Sequence, residues 1–146
     1  MRETTGNIWD FRGKAVIVIT TNGSVDRNGA AVIGRGCARQ AIIFHPDLRE
    51  RLGRLLREGG NHVHDVGNGL ATFPVEETPW ENPDPRLIAR SAWELREMAD
   101  QLGWREVIVP RPGCGGGGLD WRSIRPLLEQ EFDDRFLLIG LPGTEA

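Results

Sequence analysis

Residues 106–121 have the sequence Glu-Val-Ile-Val-Pro-Arg-Pro-Gly-Cys-Gly-Gly-Gly-Gly-Leu-Asp-Trp. An apolar strand therefore leads into a run in which five of the six residues from Gly113 to Gly118 are glycine. Packing does not account for this run, because glycine loses the most entropy on ordering and buries no side chain. Glycine-rich turns between a strand and a helix present several backbone N–H groups to one anion, usually phosphate. The run is typical of a loop that wraps a ligand; a flexible surface linker is the alternative.

Length and charge limit the kind of protein that this chain encodes. Its 146 residues, 39% of them hydrophobic, predict one compact domain over residues 1–146. A net charge of −3 argues against a protein that holds nucleic acid by phosphate neutralisation alone, although a local basic patch remains open. No stretch has the apolar length of a membrane span, and the N-terminus has no apolar core of a signal peptide. We therefore expect a soluble, cytoplasmic protein without a membrane partner.

Apolar runs alternate with helical patterns along the chain. Residues 14–20 contain a continuous apolar run from Ala15 to Ile19, which suits a central strand buried on both faces. Further strands are predicted at residues 106–110 and 135–140 and in a hairpin, residues 61–66 and 70–75; helices are predicted at residues 30–41, 46–59, 85–102 and 124–132. This order predicts an α/β fold, a three-layer α/β/α sandwich with a mixed central sheet.

Ligands of such sheets bind at the carboxyl ends of the strands. Two unusual loops, residues 22–36 and 113–118, each follow a predicted strand. We therefore expect both loops to open on one edge of the sheet.

Residues 113–118 also satisfy the glycine spacing of several phosphate motifs. A P-loop needs Lys and Ser/Thr next, and Leu119 and Asp120 stand there, so NTP hydrolysis of that type is excluded. A dinucleotide-binding unit needs its motif after an early strand, whereas this run comes late. A cysteine phosphatase needs an arginine six positions after Cys114, where Asp120 stands, so we expect Cys114 to line the loop rather than attack a substrate.

Metal chemistry and disulfides are not predicted. Cys37 and Cys114 lack the paired spacing of a zinc site and are expected to be reduced thiols. His62 and His64 alternate along a predicted strand, which would suit a metal, but no third ligand has suitable spacing. We expect a structural or surface role for both histidines, and neither a metal nor a cofactor.

Three segments together resemble the macrodomain family, which binds ADP-ribose. Gly-Asn-Ile at residues 6–8 is similar to that family's Gly-Asp-Ile element near the adenine. Residues 21–29 and 32–38 resemble the loop and helix start that hold the distal ribose and the phosphates. Residues 112–121 look like the second loop, which wraps the diphosphate, particularly in the branch of terminal ADP-ribose glycohydrolases and antitoxin macrodomains acting on ADP-ribosylated DNA. Order and spacing match over nearly the whole chain.

The resemblance implies a role for individual residues. Asn7 and Ile8 would meet the adenine, and Asn22 and Asn28 would address the distal ribose. The implied ADP-ribose-binding residues are Asn7, Ile8, Asn22, Asn28, Val32, Gly34, Arg35, Gly36, Cys37, Gly113, Cys114, Gly115, Gly116, Gly117, Gly118 and Leu119. The expected partner is ADP-ribose or an ADP-ribosylated protein or nucleic acid, and the chain is expected to be a monomer.

The catalytic residues of that branch are not reproduced. Glu76 stands where the branch has a lysine, and Gly117 where it has an aspartate. We take Asn22, Asn28 and Glu76 as candidate catalytic residues for attack of an activated water on an ADP-ribosyl link or on ADP-ribose 1''-phosphate.

Other roles for these residues stay open. Asp26 and Asp120 are further possible bases, although we expect Asp120 to cap the last helix. The alternative function is a non-catalytic reader or sequestering module for ADP-ribose or a related NAD-derived nucleotide.

Overall fold

The computed structural model describes residues 1–142 and contains a six-stranded sheet with helices on both faces. The strands are β1 (Arg2–Thr5), β2 (Val16–Thr21), β3 (Asp65–Gly67), β4 (Leu70–Pro74), β5 (Val107–Pro110) and β6 (Phe136–Gly140). The helices are α1 (Cys37–Phe44), α2 (Leu48–Gly59), α3 (Pro85–Leu102) and α4 (Trp121–Glu129), with a short 3-10 helix at Ile8–Phe11.

The sheet has the order β1-β6-β5-β2-β4-β3. All neighbouring strands are parallel except β3, which runs antiparallel to β4. Strand β2, predicted to be central, lies inside the sheet: Ile17 lies opposite Ile108 of β5 on one side and Leu70 of β4 on the other. The predicted mixed sheet is confirmed.

Alternate residues of β2 point into two separate cores. Val18 packs with α3 and α4 on one face, and Ile17 and Ile19 pack with α1 and α2 on the other. All three residues are at most 2% exposed. A strand that is apolar at successive positions is thus explained by burial on both faces, and the predicted three-layer sandwich is confirmed.

Two sequence predictions need correction, and the sequence pattern missed one strand. The helix predicted from residue 30 begins only at Cys37, because glycines interrupt the segment and Gly36 has φ +76°, outside helical geometry. Residues 61–64 are not a strand, and the hairpin is limited to β3 and β4. The edge strand β1 was not predicted at all, because its residues are exposed and polar and give no apolar pattern.

Without a strand at residues 61–64, His62 and His64 do not alternate on a sheet face. His62 Nδ1 lies 2.7 Å from Glu94 Oε2 of α3, and His64 Nε2 lies 2.8 Å from the Gly60 carbonyl. Both rings therefore contact neighbouring parts of the fold, which agrees with the structural or surface role expected for them. Among the helices of residues 1–142, none combines the length and apolar character needed to cross a bilayer.

Candidate functional site

Several loops meet at one edge of the sheet. Because β1, β6, β5, β2 and β4 are parallel, their carboxyl ends share that edge. The segments that leave it include residues 6–8, 22–36, 75–84 and 111–120. The expected convergence of the loops after β2 and β5 is confirmed, since these two strands are neighbours.

The glycine loop after β5 is closed by its own backbone. The Leu119 amide donates to the Gly113 carbonyl at 2.9 Å, and Gly113 and Gly118 have φ of +73° and +77°. Within residues 1–142, the amides of Gly115, Gly116 and Gly117 have no backbone acceptor. A Cβ built at Gly115 or Gly116 would meet nothing within 4 Å. The turn thus exposes consecutive main-chain donors, the arrangement that binds phosphate oxygens.

The helix start before α1 is a second candidate anion site. Gly36 is the N-cap residue of this helix and supplies no side-chain hydrogen bond to it. The first amides of a helix have no partner within the helix, and its N-terminus carries partial positive charge. A Cβ built at Gly34 or Gly36 would again meet nothing within 4 Å. This helix start therefore suits an anion, as the glycine loop beyond β5 does.

Asn22 closes the loop after β2. Its side chain is 4% exposed; Nδ2 donates to the Val32 carbonyl at 3.0 Å, and Oδ1 accepts from the Ser24 amide at 2.9 Å. Asn22 thus holds residues 22–32 in shape from inside the loop. Val32 in turn donates its amide to the Ser24 carbonyl at 3.0 Å.

Asp26 organises the tip of the same loop. Its carboxylate accepts from the amides of Asn28 at 2.8 Å and Ala30 at 3.1 Å and forms an ion pair with Arg49 at 3.2 Å. Because these contacts use the Asp26 carboxylate to stabilise the turn, they argue against a role for Asp26 as a general base. They also leave Asn28 exposed at the tip.

Glu76 lies in a segment that is bonded to the loop after β2. The Val75 amide donates to the Thr21 carbonyl, and the Gly23 amide donates to the Glu77 carbonyl, both at 3.0 Å. Partial burial, with the negative charge of Glu81, raises the pKa of the Glu76 carboxyl above its usual range. The structure thus places Glu76 in the segment bonded to the Asn22 loop and favours proton uptake by its carboxyl.

The segment that contains Asn7 and Ile8, predicted to meet the adenine, is hydrogen-bonded to α1. Asn7 caps the short 3-10 helix, its Oδ1 accepting from the Trp9 amide at 3.0 Å, and Ile8 is buried in the core. Trp9 Nε1 donates to Gln40 Oε1 of α1 at 2.8 Å. Residues 7–9 are therefore held at the end of β1 beside the helix whose start is the second candidate anion site.

Neither cysteine is activated. Burial raises the pKa of the Cys37 thiol despite hydrogen bonds from Thr20 and the helix amides. Burial also raises the pKa of Cys114 to about 11, against the opposing charge of Arg111. Cys114 and Leu119 pack against the core, so Cys114 lines the loop. Asp120 accepts from the Arg122 amide at 3.0 Å and caps α4, as predicted.

Sequence reasoning missed two contributors to this edge. Pro83 lies under the glycine loop, where a Cβ built at Gly117 would be 2.6 Å from its Cγ. Asn61 contacts the segment that carries Glu76, and its Nδ2 donates to the Glu76 carbonyl at 3.1 Å. Both contacts join residues distant in sequence, and no local pattern signals them.

No protein-family model and no curated protein sequence matches the chain. Solved structures do. The macrodomain of Mycobacterium tuberculosis DarG superposes with a TM-score of 0.78 and 23% identity over 97% of each chain. The macrodomain of Thermus aquaticus DarG gives 0.76 and 20% over 96% of each chain. Thermosipho africanus DarTG in complex with ADP-ribose gives 0.76 and 17% over 99% of this chain and 43% of that chain.

Proposed function

Because this chain has the macrodomain fold, we propose that it binds ADP-ribose at the carboxyl edge of its sheet. The observation that carries the proposal is the glycine loop, in which the amides of Gly115, Gly116 and Gly117 have no backbone acceptor within residues 1–142. In our proposal these amides bind one phosphate of the diphosphate, and the start of α1 binds the other. Two linked phosphates suit two neighbouring main-chain donor sites better than a single phosphate does.

The sugars and the base then occupy the two ends of this cleft. Asn7 and Ile8, fixed beside α1, form the adenine end. The loop after β2, held in shape by Asn22, and the segment of Glu76 form the end that takes the distal ribose, with Asn28 at the exposed loop tip. All these segments come from one chain, so we propose that residues 1–146 act as one domain and that a monomer suffices.

Calorimetry with ADP-ribose, ATP, AMP and NAD tests the proposed ligand. We expect the tightest binding with ADP-ribose. Among these four nucleotides, AMP and ATP lack the distal ribose, and in NAD a nicotinamide ring is attached to it. Equal affinity for all of these nucleotides contradicts the proposal. A preference for NAD instead favours a related NAD-derived nucleotide as the ligand.

Hydrolysis of an ADP-ribosyl link is a second candidate function. One observation favours it: the Glu76 carboxyl, with its raised pKa, belongs to a segment hydrogen-bonded to the Asn22 loop. A carboxylate with a pKa nearer neutrality is a better general base for activating water. The test compares release of ADP-ribose from modified protein and modified DNA by the parent and by Glu76→Ala. If the parent releases no ADP-ribose, hydrolysis is excluded as a function. If the parent and Glu76→Ala release ADP-ribose equally, Glu76 is excluded as the general base.

A further inference from the structure

We propose that Asn61 is a positioning residue for the distal end of the ADP-ribose site, an inference that rests on the proposed function. Asn61 belongs to none of the segments that carry the resemblance. Its side chain nevertheless lies between the loop after β2 and the segment after β4. Its Nδ2 donates to the Glu76 carbonyl at 3.1 Å and to Glu77 Oε2 at 3.0 Å.

The loop after β2 contacts Asn61 through a glycine. A Cβ built at Gly23 would lie 2.8 Å from Asn61 Cγ and 2.9 Å from its Nδ2. Only glycine fits there without displacing the amide. Asn61 therefore contacts the residue that directly follows Asn22 and, on its other side, the main chain of Glu76.

The main chain of Asn61 is itself anchored to α3. Arg90 donates to the Asn61 carbonyl, and Arg90 also pairs with Glu94 at 3.4 Å. Glu94 accepts from the Val63 amide at 2.9 Å and from His62. Helix α3 thus anchors the main chain of Asn61, and the Asn61 side chain adds a contact between two loops that main-chain hydrogen bonds also join.

The orientation of the Asn61 amide is determined by its neighbours. Exchanging its oxygen and nitrogen would turn the oxygen towards the Glu76 carbonyl and the Glu77 carboxylate, both of which are acceptors. In the present orientation Oδ1 is buried and has no hydrogen-bond partner within residues 1–142. A buried acceptor without a partner opposes folding. The Asn61 side chain thus holds the segment of Glu76 and Glu77 through Nδ2 while its Oδ1 has no partner within residues 1–142, an arrangement that fits a positioning role.

The test compares two ligands that differ at the distal ribose. Parent protein and Asn61→Ala are titrated with ADP-ribose and with ADP, which has the same adenine and diphosphate but no distal ribose. We expect Asn61→Ala to lose about tenfold in affinity for ADP-ribose and less than about twofold for ADP. A role in general stability would weaken both ligands equally, and that result overturns the inference. Unchanged binding of both ligands also overturns it.

A charge series keeps the test decisive if Asn61→Ala does not fold. Asn61→Asp places a carboxylate against Glu77, and we expect the same selective loss for ADP-ribose. In Asn61→Asp combined with Glu77→Gln, the new amide donates to the new carboxylate, so part of the lost ADP-ribose affinity should return. No return contradicts the proposed contact. A parent that binds neither ligand overturns the proposed function itself, which distinguishes the two failures.

Discussion

Gly117 and Pro83 are in such close contact that any side chain at position 117 would force its neighbours to shift. A Cβ built at Gly117 would lie 2.6 Å from Pro83 Cγ and 2.7 Å from the Gly113 carbonyl oxygen. The resemblance to hydrolytic macrodomains places an aspartate at this position. The loop of this chain therefore favours a glycine here, and an aspartate would have to displace Pro83 or the Gly113 carbonyl.

We expect Gly117→Asp to destabilise the protein by about 1–3 kcal/mol, because the added side chain must displace backbone of the same loop. Denaturant unfolding measures this change. The matched control is Gly115→Asp, where a Cβ meets nothing within 4 Å and the same charge should leave stability nearly unchanged. Equal stability of the two variants would show that residue 117 tolerates a side chain.

Gly116→Val tests the glycine loop as the anion site. Since a Cβ at Gly116 has open space around it, folding should be preserved. The β-branched side chain would nevertheless occupy space beside the exposed amides, and we expect more than about tenfold loss of ADP-ribose affinity. Calorimetry of Gly116→Ala and Gly116→Val should give a graded loss. Full affinity in Gly116→Val, with an unchanged melting temperature, rules out this loop as the phosphate cradle.

Glu76→Gln tests the raised pKa of Glu76. A raised pKa means that the folded state takes up the proton more readily than the unfolded state, so ionised Glu76 lowers stability at neutral pH. Glu76→Gln should therefore have the higher melting temperature at neutral pH. The difference should shrink on acidification and vanish below the ordinary pKa of 4.5.

The control for this prediction is Glu81→Gln. The charge of Glu81 contributes to the raised pKa of Glu76. In Glu81→Gln, the pH range over which ionisation of Glu76 lowers the melting temperature should therefore lie at lower pH than in the parent. A Glu76→Gln difference that grows as the pH falls has the wrong sign and contradicts the account.

Asp120 should behave as a helix cap and not as a base. Asp120→Ala removes the acceptor for the Arg122 amide and should cost about 1 kcal/mol in the free energy of unfolding. Asp120→Asn keeps the acceptor and should retain most of that stability. Urea unfolding of both variants measures the difference. If the parent releases ADP-ribose and Asp120→Asn does not, Asp120 has a chemical role that the cap does not explain.

Strong local signals predicted most of the fold. The apolar run predicted β2 to within two residues at each end, and Pro85 and Gly103 predicted the bounds of α3 to the residue. Strand β1 was missed because Arg2 and Glu3 at the sheet edge are held by ion pairs with Glu106 and Arg125 rather than by burial. Local pattern cannot predict a strand whose stability depends on a distant partner.

Sequence likewise predicts one part of the candidate site and misses another. Sequence alone indicates the loop at residues 113–118, because a run of glycines allows the positive φ of Gly113 and Gly118 and leaves the main chain uncovered. No local pattern indicates the role of Asn61, because its contacts with Glu76 and Glu77 span about fifteen residues of chain and depend on Arg90 from a third element. The start of α1 was placed too early, because the small side chains at Ala30 and Ala31 favour a helix that the following glycines prevent.

The most direct test of the central claim is a titration of ¹⁵N-labelled protein with ADP-ribose, followed through its backbone amide resonances. The account predicts that the amides of Gly115, Gly116 and Gly117 shift downfield and saturate together, because each gains a phosphate acceptor. It also predicts smaller shifts at the start of α1 and at Ile8. Saturable binding that leaves these three glycine amides unmoved would contradict the claim that the glycine loop holds the diphosphate.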